Sequence, residues 1–263
     1  MKIGVYSNPH KDIGNTVKDA VLSAAQKVGI QAEPFSFEDK YDFIVSVGGD
    51  GTILRIAKYS ALNDTPILGV NMGTVGFLTE IEPAEIESAL NKLKHREYIL
   101  ERRALIDAEL DGTHYYALND IVVRSCSVRM MAMEVRVSGE LIDKFTCDGY
   151  IACTPTGSTA YSLSAGGAVI GPNTPVIALT PINPHTLRTK PIVVGSFENV
   201  TMKSTGVTEA ALYADGEYTA ELSSGKCVSI TGWDRSALFV RFAKKSFYSR
   251  LLNKLNYWSA SED

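Results

Sequence analysis

Cysteine is scarce in this sequence. Four stand among 263 residues, and no two of them form a C-x-x-C pair. Cys126, Cys147, Cys153 and Cys227 do not sit beside histidine at zinc spacing, and His10, His95, His114 and His185 are scattered. That pattern argues against a disulfide scaffold or a structural zinc site and leaves reduced, cytosolic thiols as the expectation. Long apolar runs are missing too; none approaches the ~20 residues a membrane-spanning helix needs. The opening Met1-Lys2-Ile3-Gly4-Val5-Tyr6 has the pattern of a strand and not of a signal peptide. No membrane partner is expected, and a cytoplasmic protein is. Positive charge is not in excess either. The net charge is −4, so there is no global basic field and no nucleic-acid partner is expected. A protein of this charge binds phosphates with local groups: backbone N–H, a few cations or a bound metal.

Two familiar nucleotide motifs are also absent. The stretch Val45-Ser46-Val47-Gly48-Gly49-Asp50-Gly51-Thr52 lacks the Gly-Lys-Ser/Thr of a Walker A loop. Leu54 stands where a Rossmann fingerprint would place its third glycine. What the stretch does have is a β-branched run, Ile44 to Val47, that predicts a buried strand, then three glycines around one carboxylate. Ile53, Leu54, Ile56 and Ala57 then open a helical pattern. Glycines let a backbone approach a phosphate, and a helix start offers free N–H groups to an anion. Asp50 would repel such a ligand, which makes sense if the loop also handles a proton or a metal ion. The plainer reading is that Asp50 caps the helix. Arg55, one turn on, is placed either to reach a phosphate near Gly51 or to make a surface ion pair.

Composition is that of an ordinary globular chain, 45% hydrophobic and 21% charged. Residues 1–100 alternate strand and helix. Strands are expected at Lys2–Ser7, Gln31–Phe35, Phe43–Val47 and Pro66–Val70. Helices are expected from about Asp12 to Val28, ended by Gly29, from the glycine turn to about Ser60, and from Pro83 with Ile86, Leu90 and Leu93 on one face. This alternation predicts an α/β domain with a doubly wound, Rossmann-like parallel sheet whose ligands sit at strand C-terminal ends. The loops at Gly48 and Gly73 then fall on one edge. Residues 101–243 change character. Ala104–Leu110, Ala117–Ser125, Met131–Ser138, Leu141–Phe145, Tyr150–Thr154, Val176–Leu179, Ile192–Val194, Val200–Lys203, Ala210–Ala214, Cys227–Thr231 and Leu238–Ala243 all read as strands of a β-rich domain. A C-terminal helix within 244–263, with Phe247, Leu251, Leu252 and Leu255 as its stripe, is expected to return to the first domain. Met130, Met131 and Met133 read as core or interface filler, and Arg102-Arg103 and Lys244-Lys245 as solvated faces.

Three further stretches carry polar groups in telling places. From Asp148 to Gly167 a strand runs into a turn of small hydroxyl residues: Thr154, Thr156, Ser158, Thr159, Ser162 and Ser164. Such a loop suits a polyhydroxylated, phosphate-bearing ligand, or else is a solvent loop with capping serines. No histidine or lysine stands at a spacing that would activate a serine, so hydrolase chemistry is discounted. At Asn119-Asp120 an amide and a carboxylate interrupt an apolar run. Asn119 could pair with a base edge and Asp120 with ribose hydroxyls; a strand end with local side chain–backbone bonds is the plainer reading. In Tyr213-Ala214-Asp215-Gly216-Glu217-Tyr218, Asp-Gly between strands is a hairpin signal.

Taken in order, Gly48-Gly49-Asp50-Gly51-Thr52, Asn119-Asp120 and Thr154-Pro155-Thr156-Gly157-Ser158-Thr159-Ala160-Tyr161 resemble the NAD kinase family. The resemblance runs from Met1 to about Trp258. The first motif is shared with diacylglycerol and sphingosine kinases and, more distantly, phosphofructokinases. The threonine-serine stretch with Ser162-Leu163-Ser164-Ala165-Gly166-Gly167 is more specific, and Pro181-Ile182-Asn183-Pro184-His185-Thr186-Leu187 is similar to a family stretch as well. The resemblance implies transfer of the γ-phosphate of ATP to the adenosine 2′-hydroxyl of NAD, giving NADP. It also implies a divalent cation, Mg²⁺, across the donor phosphates and a homodimer or homotetramer; whether ATP or polyphosphate is the donor stays open. Asp50 is then the candidate base, and Gly51 and Arg55 stand at the donor phosphates. Asn119 and Asp120 hold the adenosine. Thr156, Thr159, Ala160, Tyr161, Ser162, Leu163 and Ser164 line the dinucleotide site. Asp148 contacts the nicotinamide half across a subunit boundary, and Asn183 adds backbone contacts. Asp215-Gly216 falls near the ligand in relatives. Two departures stand out. Many relatives carry glutamate at the place of Asp120, and many bacterial ones carry arginine at the place of Thr146, a position tied to how the dinucleotide is held; preference between NAD and NADH stays open. Two other functions share part of this pattern, a lipid kinase with the same glycine-aspartate loop and a non-catalytic NAD(P) sensor.

Overall fold

The computed structural model describes residues 1–73, 76–186, 188–242 and 247–252. The chain forms two compact units, one of Met1–Arg102 with the described residues from Ala237 onward, the other of Arg103–Ser236.

In the first unit, apolar runs with β-branched residues make short parallel strands, and the segments between them with 3.6-residue periodicity make helices. Strands β1 (Lys2–Ser7), β2 (Gln31–Pro34), β3 (Phe43–Gly48) and β4 (Ile67–Asn71) alternate with helices α1 (Thr16–Lys27), α2 (Asp50–Asn63) and α3 (Ile86–Lys94). The sheet runs β2-β1-β3-β4 with every pairing parallel. Helices α1 and α3 bury Val21, Ala24, Ala25, Ile86, Leu90 and Leu93 against Ile3, Val5, Val45, Val47, Leu68 and Val70 on one sheet face. Helix α2 lies against Gly69, where Ile53 fills the space a side chain would take. The doubly wound expectation therefore holds, and the C-terminal ends of β3 and β4 share an edge. Helix α1 starts four residues later than the periodicity suggests. Residues Ile13–Asn15 form a 3₁₀ turn with Gly14 and Asn15 at φ of 74° and 58°. Asp12 instead receives the amides of Val17 and Lys18 on its carboxylate, both at 2.9 Å.

The second unit is a pair of antiparallel sheets over one core. Its strands are β5 (Ile99–Leu110, from Arg103 onward), β6 (Thr113–Ala117), β7 (Asp120–Ser125), β8 (Met131–Val137), β9 (Glu140–Cys147), β10 (Gly149–Cys153), β11 (Val176–Ile182), β12 (Ile192–Gly195), β13 (Val200–Ser204), β14 (Ala210–Ala214), β15 (Glu217–Leu222) and β16 (Cys227–Arg241). One sheet has six strands in the order β12-β11-β10-β7-β14-β15. In the other, β13 pairs with β16 and β8, β8 with β9, and β5 with β6. Alternation along the strands sends Ile121, Val123, Tyr150, Ala152, Leu179 and Leu212 of the first sheet and Met131, Met133, Val200, Met202 and Ile230 of the second into a common core. A short helix, α4 (Tyr161–Ser164), follows the threonine-rich turn.

Several expectations change. The run expected as one strand at Ala117–Ser125 is broken at Leu118-Asn119, and the two strands expected at Cys227–Thr231 and Leu238–Ala243 are one, β16. Strands β6 and β15 were not foreseen, because both are exposed hairpin arms with few apolar residues. Arg103 is not solvated but 3% exposed, while Arg102 is exposed. Met131 and Met133 are core, and Met130 is exposed. Of the expected C-terminal helix, residues 247–252 are helical; the rest of 244–263, Lys244-Lys245 and Leu255 included, lies outside the described residues, as do Ala243 of the last expected strand and Leu187 of the stretch from Pro181.

Candidate active site

In the first unit, β3 ends at Gly48 and α2 begins at Asp50, with Gly49 between them in extended conformation. Asp50 is thus the first residue of the helix and not its cap, which corrects the plainer reading. Its carboxylate turns to the segment after β4, where Oδ2 accepts the amide of Phe77 at 2.8 Å and Oδ1 that of Leu78 at 3.0 Å. Two charge-assisted bonds of this length fix the plane of a carboxylate. Gly76 is what allows it. A Cβ there would overlap Asp50 Oδ1 and come within 2.8 Å of its Cγ. Beside the turn, Met72 donates its amide to Gly48 O at 2.9 Å, and Asn8 donates Nδ2 to Thr52 Oγ1 at 3.4 Å. The space a Cβ would take on Gly51 is open; Thr52 and Ile53 already donate their amides to Gly49 O at 2.9 and 3.4 Å, so the amides of Asp50 and Gly51 are the ones the helix start leaves without an intrahelical acceptor. Arg55 is exposed one turn along.

In the second unit the site follows from strand period. On β7, Ile121 and Val123 enter the core, so Asp120, Val122 and Arg124 share the opposite face. On β14, Tyr213 pairs with Val122. These residues, with Asn119, Ala160, Tyr161, Asp215 and Gly216, line a cavity of about 360 Å³. The break at Leu118-Asn119 is held from two sides. Asp215, at φ 50° in the β14–β15 turn, accepts the amides of Leu118 at 2.9 Å, Asn119 at 2.7 Å and Asp120 at 3.2 Å. Thr154 donates its hydroxyl to Leu118 O at 2.5 Å and its amide to Asn119 O at 2.8 Å. Gly157 lies so close that a Cβ on it would overlap the Asn119 carbonyl.

Two carboxyls share this cavity. Burial pushes Asp120 up to about 7, and the charge of Asp215 adds to it. Burial pushes Asp215 up to about 6, against the three amides that pull it down, while Glu217 pushes it up again. Asp120, raised this far, holds a proton on a sizeable fraction of molecules near neutrality and can donate a hydrogen bond as well as accept one, while Asp215, with three amides on its oxygens, acts as an acceptor.

Residues 16–98 match the ATP-NAD kinase N-terminal domain, and residues 118–242 match the ATP-NAD kinase C-terminal domain. The NAD kinase of Moorella thermoacetica is 38% identical over 256 residues, 95% of this chain and 81% of that protein. That of a Thermoanaerobacter species is 34% identical over 278 residues, 97% of this chain and 98% of that protein. Among solved structures, an NAD kinase from Archaeoglobus fulgidus in complex with ATP is 32% identical with a TM-score of 0.83, covering 97% of this chain and 99% of that one. The chain belongs to the ATP-NAD kinase family. It is therefore a phosphotransferase, and the lipid-kinase and sensor readings find no support in these matches. A yeast NADH kinase complexed with NADH, 21% identical with a TM-score of 0.85 over 98% of this chain and 88% of that one, shares the fold.

Of the positions that the NAD kinase resemblance singled out, Asn119, Asp120, Ala160 and Tyr161 meet at the second unit's cavity. The neighbouring threonine-serine residues do not line it. Thr156 is 7% exposed and takes Arg103 Nη1 on its hydroxyl at 3.4 Å. Thr159 donates to Thr156 O at 3.3 Å, and Ser162 pairs with Thr180 at 2.9 Å. Leu163 is half-buried and Ser164 exposed on α4. Thr146, Asp148 and Asn183 form a separate group. Asn183 donates Nδ2 to Asp148 Oδ2 at 2.9 Å, and Thr146, itself exposed, accepts the amide of His185 on its carbonyl at 2.8 Å. Strand β10 separates the groups, since Gly149 pairs with Ile182 at one end and Cys153 with Asp120 at the other. Sequence reasoning undervalued Asp215, whose Asp-Gly signal is that of any hairpin, and missed Val122, Arg124, Tyr213 and the Phe77–Leu78 amides. Strict alternation from Asp120 would have found Val122 and Arg124; nothing local marks the others.

Proposed function

We propose that this chain transfers the γ-phosphate of ATP to the 2′-hydroxyl of the adenosine ribose of NAD, giving NADP, with Asp50 as the base. The observation that carries the reading is the carboxylate of Asp50, set at the start of α2 and oriented by two backbone amides. A ribose hydroxyl is a weak nucleophile, and a positioned base that takes its proton is worth roughly 10²–10⁴-fold. The rest of phosphoryl transfer is positioning and charge neutralisation. The open side of Gly51, the Asp50 and Gly51 amides at the start of α2 and exposed Arg55 suit donor phosphates.

Asn119 and Asp120 hold the adenosine in this reading. Support comes from the cavity they line with Ala160 and Tyr161, and from the raised Asp120 carboxyl, which can pair with ribose hydroxyls in either role. Thr156, Thr159, Ser162, Leu163 and Ser164 shape the loop behind it. Thr146, Asp148 and Asn183, at the far end of β10, serve the nicotinamide half from a neighbouring subunit of a homodimer or homotetramer. The cation, Mg²⁺, arrives on the donor phosphates and neutralises charge there, since among the described residues no three His, Cys, Asp or Glu side chains gather to hold one. Polyphosphate is the alternative donor. In this reading residues 1–100 carry the donor end, residues 101–243 the acceptor, and 244–263 return to the first domain. No described helix is long and apolar enough to cross a membrane, and the four cysteines are unpaired; a cytoplasmic enzyme fits both.

The test is a coupled assay in which NAD and Mg-ATP yield NADP, read by an NADP-dependent dehydrogenase. Absence of product with folded protein, across several divalent metals and with polyphosphate as donor, contradicts the reading.

A further inference from the structure

The backbone that orients Asp50 is itself gripped from behind. The amides of Phe77 and Leu78 point into the Asp50 carboxylate, while the carbonyls of the same stretch point onto two arginines. Arg250 Nη1 donates to Phe77 O at 3.0 Å and Thr79 O at 3.3 Å. Arg241 Nη1 donates to Leu78 O at 2.9 Å and Thr79 O at 3.4 Å. Glu80 closes the set, accepting Arg250 Nη2 at 2.7 Å, Arg241 Nη1 at 3.2 Å and the amide of Phe242 at 3.1 Å. Arg241 Nε reaches Glu101 at 2.5 Å. The Arg241 side chain is 5% exposed, that of Arg250 14% and that of Glu80 2%.

Two cations and two carboxylates balance, so burial here leaves no net charge uncompensated. The chemistry calls for arginine: one planar guanidinium spans two carbonyls and a carboxylate at fixed angles, which an ammonium cannot do. A peptide whose carbonyl is pinned on one side has its amide aimed on the other. The Phe77 carbonyl and the Leu78 amide belong to one peptide plane, so Arg250, which holds the Phe77 carbonyl at 3.0 Å, sets the direction of the Leu78 bond to Asp50 Oδ1.

We infer that Arg250 is a positioning residue for phosphoryl transfer, acting on Asp50 through the Phe77–Leu78 peptide. This rests on Asp50 being the base. Arg250 is the informative member of the pair because Arg241 stands at the end of core strand β16, whereas Arg250 comes from residues 247–252 and its loss leaves Arg241 to neutralise Glu80.

The test is a double-mutant cycle of Arg250→Ala and Asp50→Asn on the full chain, with kcat, both KM values and melting temperature recorded. In the wild-type background, R250A is expected to lower kcat about 10- to 100-fold, the scale of a small misplacement of a reacting group. KM for NAD and ATP should stay within about threefold, and Arg250→Lys should recover part of the rate. Because Arg250 acts through Asp50, adding R250A to D50N should cost less than about twofold more. The inference is overturned if R250A keeps wild-type kcat, or if R250A costs the same factor in both backgrounds. If D50N itself turns over at the wild-type rate, the reading of Asp50 as base fails, a separate result. Should R250A not fold, R250K is run through the same cycle with the same criteria.

Discussion

Asp215 and Asn119, 96 positions apart in the chain, are joined by a 2.7 Å bond from the Asn119 amide to the Asp215 carboxylate. Two more amides, those of Leu118 and Asp120, end on the same side chain. An acidic hairpin turn thus serves as the external cap of a strand break, and the break is what puts Asn119 and Asp120 at the rim of a cavity. Replacing Asp215 by alanine leaves three amides without their acceptor, at a cost of ~1–3 kcal/mol for each that stays buried. We expect Asp215→Ala to raise the dissociation constant for NAD about 10- to 100-fold, with Asp215→Asn, which keeps one acceptor oxygen, falling between. Isothermal titration with NAD checks this.

The two raised carboxyls predict a pH dependence of definite sign. Asp120 stands at about 7 and Asp215 at about 6, both above the 3.8 of an unperturbed aspartate. The folded chain therefore binds these protons more tightly than the unfolded one. The stability they contribute is fully present below about pH 4 and is lost as pH rises through 6 and 7. Asp120→Asn removes the larger part, on the scale of ~1.4 kcal/mol per unit of pKa difference. Melting curves should show the variant several degrees above wild type near pH 8, with the gap narrowing toward pH 4.

Gly76→Ala tests the orientation of Asp50 without touching its charge. The added methyl would meet Asp50 Oδ1 and lie 3.0 Å from Oδ2, so the carboxylate must swing away. We expect kcat to fall about 10- to 1000-fold, the range a misplaced catalytic group costs. NAD affinity should be unchanged, because Asn119, Asp120 and the cavity lie on other elements. Steady-state kinetics and NAD titration check the split.

Arg103 is buried beside the threonine-rich turn and donates to Thr156. Replacing the arginine removes the hydrogen bond to Thr156 and the packing of its buried stem. Arg103→Met should lower the melting temperature by several degrees and weaken NAD binding, while Arg102→Met, on the exposed neighbour, should do neither. Paired thermal melts decide this.

Much of the fold was legible because periodicity is local. The βα alternation of residues 1–100 and the alternating strands after Leu100 follow from spacing alone, and the glycine-aspartate turn could be placed between β3 and α2 from its flanks. What stayed hidden depends on partners distant in the chain. Arg103 next to Arg102 looks like a solvated pair until β5 turns one of them inward. Asp215 looks like any Asp-Gly turn until β14 pairs with β7 and delivers it to Leu118-Asn119. The Asp50 carboxylate could be read as a helix cap because nothing within several residues reveals the amides of Phe77 and Leu78. Strand β16 read as two because polar residues at its middle, Asp234 and Arg235, interrupt the apolar pattern without breaking the backbone.

The most direct measurement is turnover by Asp50→Asn at saturating NAD and Mg-ATP. An amide at this position keeps size and one acceptor oxygen for the Phe77 and Leu78 amides but cannot take up a proton. The expected result is a kcat lowered roughly 10²–10⁴-fold with NAD affinity, by titration, within about threefold of wild type. A variant that binds NAD normally and makes NADP at the wild-type rate would contradict Asp50 as the base.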